Sequence, residues 1–588
     1  MEGSRRLRDL EWLAVGAFVE FLVFGSLVLG IISVVLGAAQ LLDEHGDRLR
    51  GFARAVLVSG FAFAIVMFGH RLLGGFLPGA AVPLSLLAVM LVELVTIRWT
   101  ERDHRRLSGG ELVVLIGPLV MWLVVLFAFV RARRTFPWAM SGDARNHILI
   151  VRDTIDAGGI PIPGYPALGN ALAALAGGWQ FDISAVSEGR LGSEIAAVAV
   201  TMVLLLSAVS ILAVSLVGPA SKSRDPQIVV GLVVLSLLPL TQFWLHTYLF
   251  EGFLPTALAV AAMLAVAVEM SRADSTPAWR IASCVMGIAV LGFTYPPLMP
   301  IAAGLLPLAV VAGWVQTWPT VKYKSVVFGV IVAASALGAL ALRHPRIEAK
   351  ARQDLNLYGR ISPVDSWGLV LLTVLLVILF VVSNRHSRML ATAAVSIGMS
   401  SVVIDRFLDG VIDAEYYVDK TRWMSTFVLL ALAVATVTSM IVESAPTFRR
   451  VVAAVTVLGV VAASMFPFLQ EFPRRSVLRT VAMSWSLPSA EEARLILETN
   501  DRNPRSVFWR VSPDPLTTRV INIWITSGMD ETDANVTWGY KADVFSVDGV
   551  CAFAASNAPA TVWVPSEGAA KVFDEGCDLE GVSIEVID

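Results

Sequence analysis

Apolar runs of about 20 residues, separated by short polar connections, repeat along most of the chain, and each could cross ~30 Å of hydrocarbon as a helix. They cover 12–40, 52–73, 80–98, 112–131, 192–217, 228–246, 252–270, 281–296, 298–316, 325–342, 367–383, 389–405, 424–442 and 450–469. The pattern predicts an α-helical polytopic membrane protein of about 13–14 transmembrane helices over residues 1–473. From about residue 474 the pattern changes. The short apolar runs SVFWRV, TRVINIWIT, ATVWVP and VSIEVI read as strands. SAEEARLILETN reads as a helix with Ser489 as N-cap and Glu492 at the capping-box position, and 567–573 as a second helix. Residues 474–588 therefore predict a small C-terminal α/β soluble domain.

Composition agrees with this reading. Of 588 residues only 16% are charged, against roughly 25% in an ordinary soluble domain, and mean hydropathy is +0.71. The formal net charge of −3 implies no nucleic-acid partner. No Walker loop, dinucleotide fingerprint or zinc spacing is present. The basic start, MEGSRRLRDLEW, lacks a cleavage site and reads as the flank of a retained first helix.

Charge placement gives the block a direction. One set of connections is short and basic (Lys222/Arg224, Arg272/Arg280, Lys322/Lys324, Arg385/Arg388, Arg449/Arg450) and reads as cytoplasmic. The connections between them, at 132–190, around Glu251, around Tyr295, at 343–366 and at 405–423, then face outward, and so does the tail. The expectation is a multi-pass plasma-membrane protein whose C-terminal domain is extracytoplasmic. Counting back puts the RRLR N-terminus outside as well, against the same rule, so the first four spans are the hardest to orient. Cys284 reads as buried packing. Cys551 and Cys577, both in the tail, predict a disulfide on an oxidising side of the membrane, two free thiols being the alternative.

The most informative connection is FPWAMSGDARNHILIVRDTIDAGGIPIPGYPALGNALAALAGGW. Residues 144–157 have helical spacing, with Ile148, Val151 and Ile155 on one face, and Gly158-Gly159 ends the run. Asp143 sits at the helix start, with His147 one turn on and close enough to share its face. Aspartate there is a favoured N-cap; a carboxylate at a water–lipid boundary can also act as general base or metal ligand.

This stretch resembles the GT-C superfamily of integral-membrane glycosyltransferases. The resemblance rests on Gly142-Asp143-Ala144…His147, Gly164-Tyr165-Pro166-Ala167-Leu168, Phe293-Thr294-Tyr295-Pro296-Pro297 and Glu415-Tyr416-Tyr417…Lys420, the last two similar to outward-edge elements of actinobacterial members. It implies inverting transfer of a sugar from a polyprenyl-phosphate donor to a cell-envelope glycan or glycolipid acceptor on the outer face. Asp143 would be the base, with His147 beside it. Arg343, Arg346, Arg360, Lys420 and Arg422 would hold the donor phosphate. Glu251, Tyr295, Tyr416 and Tyr417 would meet substrate. Many members carry paired acids in the first loop where this chain has one, so no metal site is named and a divalent Mg or Mn ion stays open. The plainer alternatives are a solvated helical face over 343–360, with Glu348 pairing to Arg352, and interfacial anchoring for Lys420, Arg422 and the tyrosines. A transporter or flippase of lipid-linked sugars, and a membrane scaffold displaying the tail, are the rival functions.

Overall fold

The computed structural model describes residues 48–72, 113–121, 123, 146–151, 168–178, 189–218, 223, 225–240, 253–315, 317–355, 365–383, 387–441, 494–496, 498–499, 505–511, 518, 521–522, 525, 546–577 and 580–587. The expected spans 12–40, 80–98 and 450–469, the Ser489/Glu492 cap, and Asp143, Glu251 and Arg360 lie outside them. The first helices are α1 (Arg48–Leu72), α2 (Leu168–Gly178), α3 (Gly189–Ser215), α4 (Pro226–Leu237), α5 (Leu254–Ser271) and α6 (Pro277–Gly292). They are followed by α7 (Met299–Ala303), α8 (Leu306–Val315), α9 (Thr320–Leu342), α10 (Pro345–Leu355), α11 (Ser366–Val382), α12 (Arg388–Val411) and α13 (Glu415–Ile441). Among the described residues, five helical stretches are long and apolar enough to cross a membrane: α5, the Pro296–Val315 run containing α7 and α8, α9, α12 and α13.

Local chemistry sets the helix starts. Asp225 accepts from Gln227 N–H at 3.0 Å and Thr276 Oγ1 from Trp279 N–H at 3.3 Å, each followed by proline at the first helical position. α5 is the hub. All but the last of its 18 residues are buried, and it packs against α1, α2, α3, α6, α12 and α13. α9 and α11 lie at the periphery. Of the 23 residues of α9, only Tyr323, Val327 and Ile331 are buried. Val321, Phe328, Val332, Leu337 and Leu340 face outward, as do Trp367, Leu371, Ile378 and Val381 of α11.

The connections gather at two opposite ends. At one, Leu168 N–H donates to Phe293 O at 2.9 Å, and Tyr295 Oη donates to Tyr417 O at 3.3 Å. At the other, Arg54 Nε meets Glu269 at 2.8 Å, Arg272 donates to Ser215 O at 3.3 Å, and Arg388 donates to Thr320 Oγ1 at 2.7 Å. The described basic connections thus share one end and the longer polar ones the other. Arg272 and Arg280, however, are buried rather than solvated.

The C-terminal domain holds β1 (Ser506–Phe508), α14 (Val547–Ser556), β2 (Ala560–Val564), α15 (Glu567–Gly576) and β3 (Val582–Val586). The sheet is parallel throughout, in order β1-β2-β3, with Phe508 opposite Trp563 and Trp563 opposite Glu585. Val507, Trp509, Val562 and Val564 pack with Val550, Phe553 and Phe573 of α14 and α15. Both helices pack on one face of the sheet, as parallel crossovers of the usual hand moving the same way across it would place them. Phe508 and Trp563 stack on the opposite face, ring centroids 5.9 Å apart. Cys551 on α14 and Cys577 at the end of α15 form a disulfide, Cα atoms 5.8 Å apart, which joins the two helices.

The expected strand TRVINIWIT is a correction. Thr518, Ile521, Asn522 and Ile525 are helical and buried. Their i, i+3, i+4, i+7 spacing puts them on one face, a 3.6 period hidden in β-branched residues that also fit a strand. Asn522 completes the sheet edge: its side chain accepts from Phe508 N–H and donates to Phe508 O, both at 2.7 Å. Those backbone groups would otherwise be the unpaired edge of β1.

Candidate functional site

The end that collects the longer polar connections is the candidate site. The helical residues 146–151 bury Ile148 and Val151 completely, as their spacing predicts. His147 is buried as well, and its Nδ1 lies 3.0 Å from Asn170 Nδ2. The same amide donates to His147 O at 3.2 Å. Asn170 stands on the first turn of α2, whose Leu168 N–H bonds to Phe293 O in the FTYPP turn. The first large loop is thereby tied to the turn between α6 and α7.

An aromatic group surrounds the next step. Tyr295 Oη lies 3.2 Å from Thr421 Oγ1 as well as bonding to Tyr417 O. The Tyr295 and Tyr417 rings are 6.1 Å apart and those of Tyr416 and Tyr417 5.1 Å. Phe253, just before α5, sets its edge or face to Tyr416 at 6.3 Å and to Trp423 at 6.1 Å. Lys420 Nζ sits 3.6 Å above the Phe253 ring and 5.1 Å from that of Tyr416, and donates to Tyr416 Oη at 3.2 Å. An ammonium over a ring face, largely out of water, is held by the ring quadrupole. The first turns of α13 place Tyr416, Tyr417, Lys420 and Thr421 at i, i+1, i+4 and i+5, two adjacent columns of one helix.

Arg422 has a different environment from Lys420. It donates to Asp405 and Asp409 across the α12–α13 turn, the latter at 2.8 Å, and to Asp419 at 3.4 Å. Asp405 is buried, and its Oδ2 has no hydrogen-bond partner. Three carboxylates around one guanidinium compensate the positive charge that a phosphate would need. The acids of 405–423 (Asp405, Asp409, Asp413, Glu415 and Asp419) outnumber its bases, Arg406, Lys420 and Arg422, and that imbalance was the available signal.

Arg343 and Arg346 lie elsewhere on this end. Both are exposed, one just after α9 and the other on α10. The ion pair on α10 is Lys350–Asp354 at 2.7 Å, in place of the expected Glu348–Arg352 pair. The structure thus links His147, Tyr295, Tyr416, Tyr417 and Lys420, sets Arg422 beside them in an aspartate group, and leaves Arg343 and Arg346 on the exposed surface. Asn170, Phe253, Thr421 and Trp423 were not singled out from sequence. Asn170 carried a usable signal, a lone amide within an apolar helix (LGNALAALAGG).

No group of three His, Cys, Asp or Glu side chains among the described residues is arranged to hold a metal ion. The aspartates at Arg422 already have a cation between them. The described residues here therefore do not form a site for a divalent ion. No protein-family model matches the chain, and comparison with curated proteins and with solved structures finds no significant similarity.

Proposed function

We propose that the protein is a multi-pass membrane glycosyltransferase that moves a sugar from a polyprenyl-phosphate donor to a cell-envelope glycan or glycolipid acceptor. The supporting observation is the linkage of the resemblance-bearing segments at one end of the helices: His147 to Asn170, Leu168 to Phe293, Tyr295 to Tyr417 and Thr421. Residues far apart in the chain meet at one end of the helices, as this reading requires. The outward faces of α9 and α11 support the bilayer. From Val321 to Leu340, both exposed, the helix rises about 29 Å, close to the ~30 Å of a hydrocarbon core. Exposed tryptophans flank that band, Trp314 and Trp318 at one end and Trp367 at the other, the depth at which indoles favour the interface.

In this reading Asp143, four residues before His147, takes the proton from the acceptor hydroxyl as the hydroxyl oxygen attacks the anomeric carbon and the lipid phosphate leaves. Tyr416 and Tyr417, half-buried, give the sugar rings apolar faces to stack on, while Tyr295, buried, braces Tyr417 from behind instead of meeting substrate directly. Lys420, held over the Phe253 ring, offers positive potential to the departing phosphate. Arg422 acts on the site through the aspartates it holds.

The test is transfer from radiolabelled polyprenyl-phosphate sugars by membranes carrying wild type or Asp143→Asn. The expected result is a loss of at least about a hundredfold in the variant with unchanged protein level. Wild-type transfer by the Asn variant would remove Asp143 as the base. Transfer by neither protein from any donor would favour a flippase or scaffold.

A further inference from the structure

The exposed cations of α10 have no place in the aromatic site, yet their geometry is specific. α9 delivers an apolar, outward-facing surface that ends at Leu340, and the chain turns through Arg343 and His344 directly into α10. Ala351 and Leu355 pack against the helical core. One turn before Ala351 on the same face, Ile347 is 42% exposed. Arg346 and Lys350 are spaced i, i+4 on α10, a stripe beside that face, and Arg343 lies in the turn that leads into it. Arg343, Arg346, Lys350 and Arg352 are all exposed, against Glu348 and Asp354 among the carboxylates of the segment. Asp354 pairs with Lys350 at 2.7 Å, and neither Arg343 nor Arg346 has a carboxylate partner among the described residues.

We infer that α10 lies along the bilayer interface and that Arg343, Arg346 and Lys350 bind the phosphates of anionic phospholipid headgroups. The apolar surface of α9 ends where headgroups begin if it spans hydrocarbon, so α10 starts at their depth. Trp367, exposed at the start of α11 on the same end, marks that depth independently. A helix with an apolar edge inward, a cationic edge outward and one exposed Ile between them is built for that boundary. Each cation near an anionic surface adds attraction that salt screens. The inference rests on the membrane reading of α9, and it does not depend on the transferase chemistry. It assigns these arginines to the lipid surface instead of to the donor phosphate.

The experiment is amide exchange over 343–355 in the full-length protein, reconstituted in nanodiscs of phosphatidylcholine alone or mixed with phosphatidylglycerol. Exchange of α10 should slow about tenfold in the mixed discs at low salt. The triple variant R343Q/R346Q/K350Q should exchange alike in both, since exposed Gln is compatible with the helix. Ile347→Glu should raise exchange in both lipids, through the loss of the apolar contact. Equal exchange of wild type in the two lipids, or a triple variant indistinguishable from wild type, would overturn the inference. So would equal slowing in phosphatidylcholine discs on adding a short-chain isoprenyl phosphate or inorganic phosphate, which would mean a site for a single phosphate. A protein that purifies without detergent and does not enter nanodiscs would remove the membrane reading itself.

Discussion

Glu269 is fully buried and receives two guanidinium groups: Arg50 Nε at 3.0 Å and Arg54 Nε at 2.8 Å. Ser275 Oγ donates to it at 3.0 Å, and Asp274 takes a second donor of Arg50 at 2.8 Å. Arg54 also lies over the Trp279 ring at 4.7 Å. A buried ion group of this kind is weak evidence for net stability, but removing one partner strands the others. Glu269→Gln should therefore cost about 3–5 kcal/mol, read as a lower melting temperature of the detergent-solubilised protein. A variant that melts with wild type would mean that the arginines find other partners. Arg422 invites a paired test. Arg422→Gln leaves buried Asp405 without its cation, and adding Asp405→Asn removes the stranded charge. If holding Asp405 is the main task of Arg422, the double variant should melt above the single one. Equal melting of both, with transfer lost in both, would point to a direct contact with substrate instead.

At the scale of elements, packing and polar pattern were legible in different degrees. The apolar runs at 252–270, 281–296, 325–342, 367–383 and 389–405 correspond to α5, α6, α9, α11 and α12 within a few residues, because a buried or lipid-facing helix must be apolar for its whole length. The parallel sheet was half legible: SVFWRV, ATVWVP and VSIEVI contain β1, β2 and β3, while residues 518–525 were misread and α14 was missed. Short β-branched runs do not distinguish the two periods, and only the tertiary role of Asn522 on the edge of β1 decides for helix. The site was legible as a set of segments and not as a set of partners. Nothing in the order of residues says that Arg422 meets Asp405, or that Lys420 rests on Phe253. The disulfide makes a prediction at this scale. Its bridge closes 26 residues of chain separation, worth about 3.5 kcal/mol in a chain-entropy estimate, and it joins α14 to α15 over one face of the sheet. Reduction of the full-length protein should speed proteolysis within 546–587 while fragments from the helical region are unchanged. Identical digestion with and without reductant would mean that the apolar packing under Phe553 and Phe573 suffices.

At the scale of the whole molecule, the helices align two chemically distinct ends. One end carries Arg50, Arg54, Arg272, Arg280 and Arg388, and the other carries His147, the tyrosines and the aspartates of 405–419. α1 helps settle a point that charge counting left open. Its Arg50 and Arg54 join Glu269 at the basic end, so α1 runs from that end toward the site, whatever side of a membrane each end faces. The expectation from the positive-inside rule, that the basic end is cytoplasmic, has a direct test. Gly410 is exposed beside the site, with open space where a Cβ would go, and Ala278 is exposed at the basic end, on the first turn of α6. Cysteines placed there should not disturb the fold. Background labelling should be low, because Cys284 is buried and Cys551 and Cys577 are bonded to each other. With a membrane-impermeant maleimide, Gly410→Cys should label in intact cells and Ala278→Cys only after the membrane is opened. The reverse pattern would turn the site toward the cytoplasm, where polyprenyl donors for an outward-facing transferase are not used, and would remove the envelope acceptor from the proposal. Labelling of both positions in intact cells would mean that the helices between them do not separate two compartments, and the multi-pass reading would fail with it.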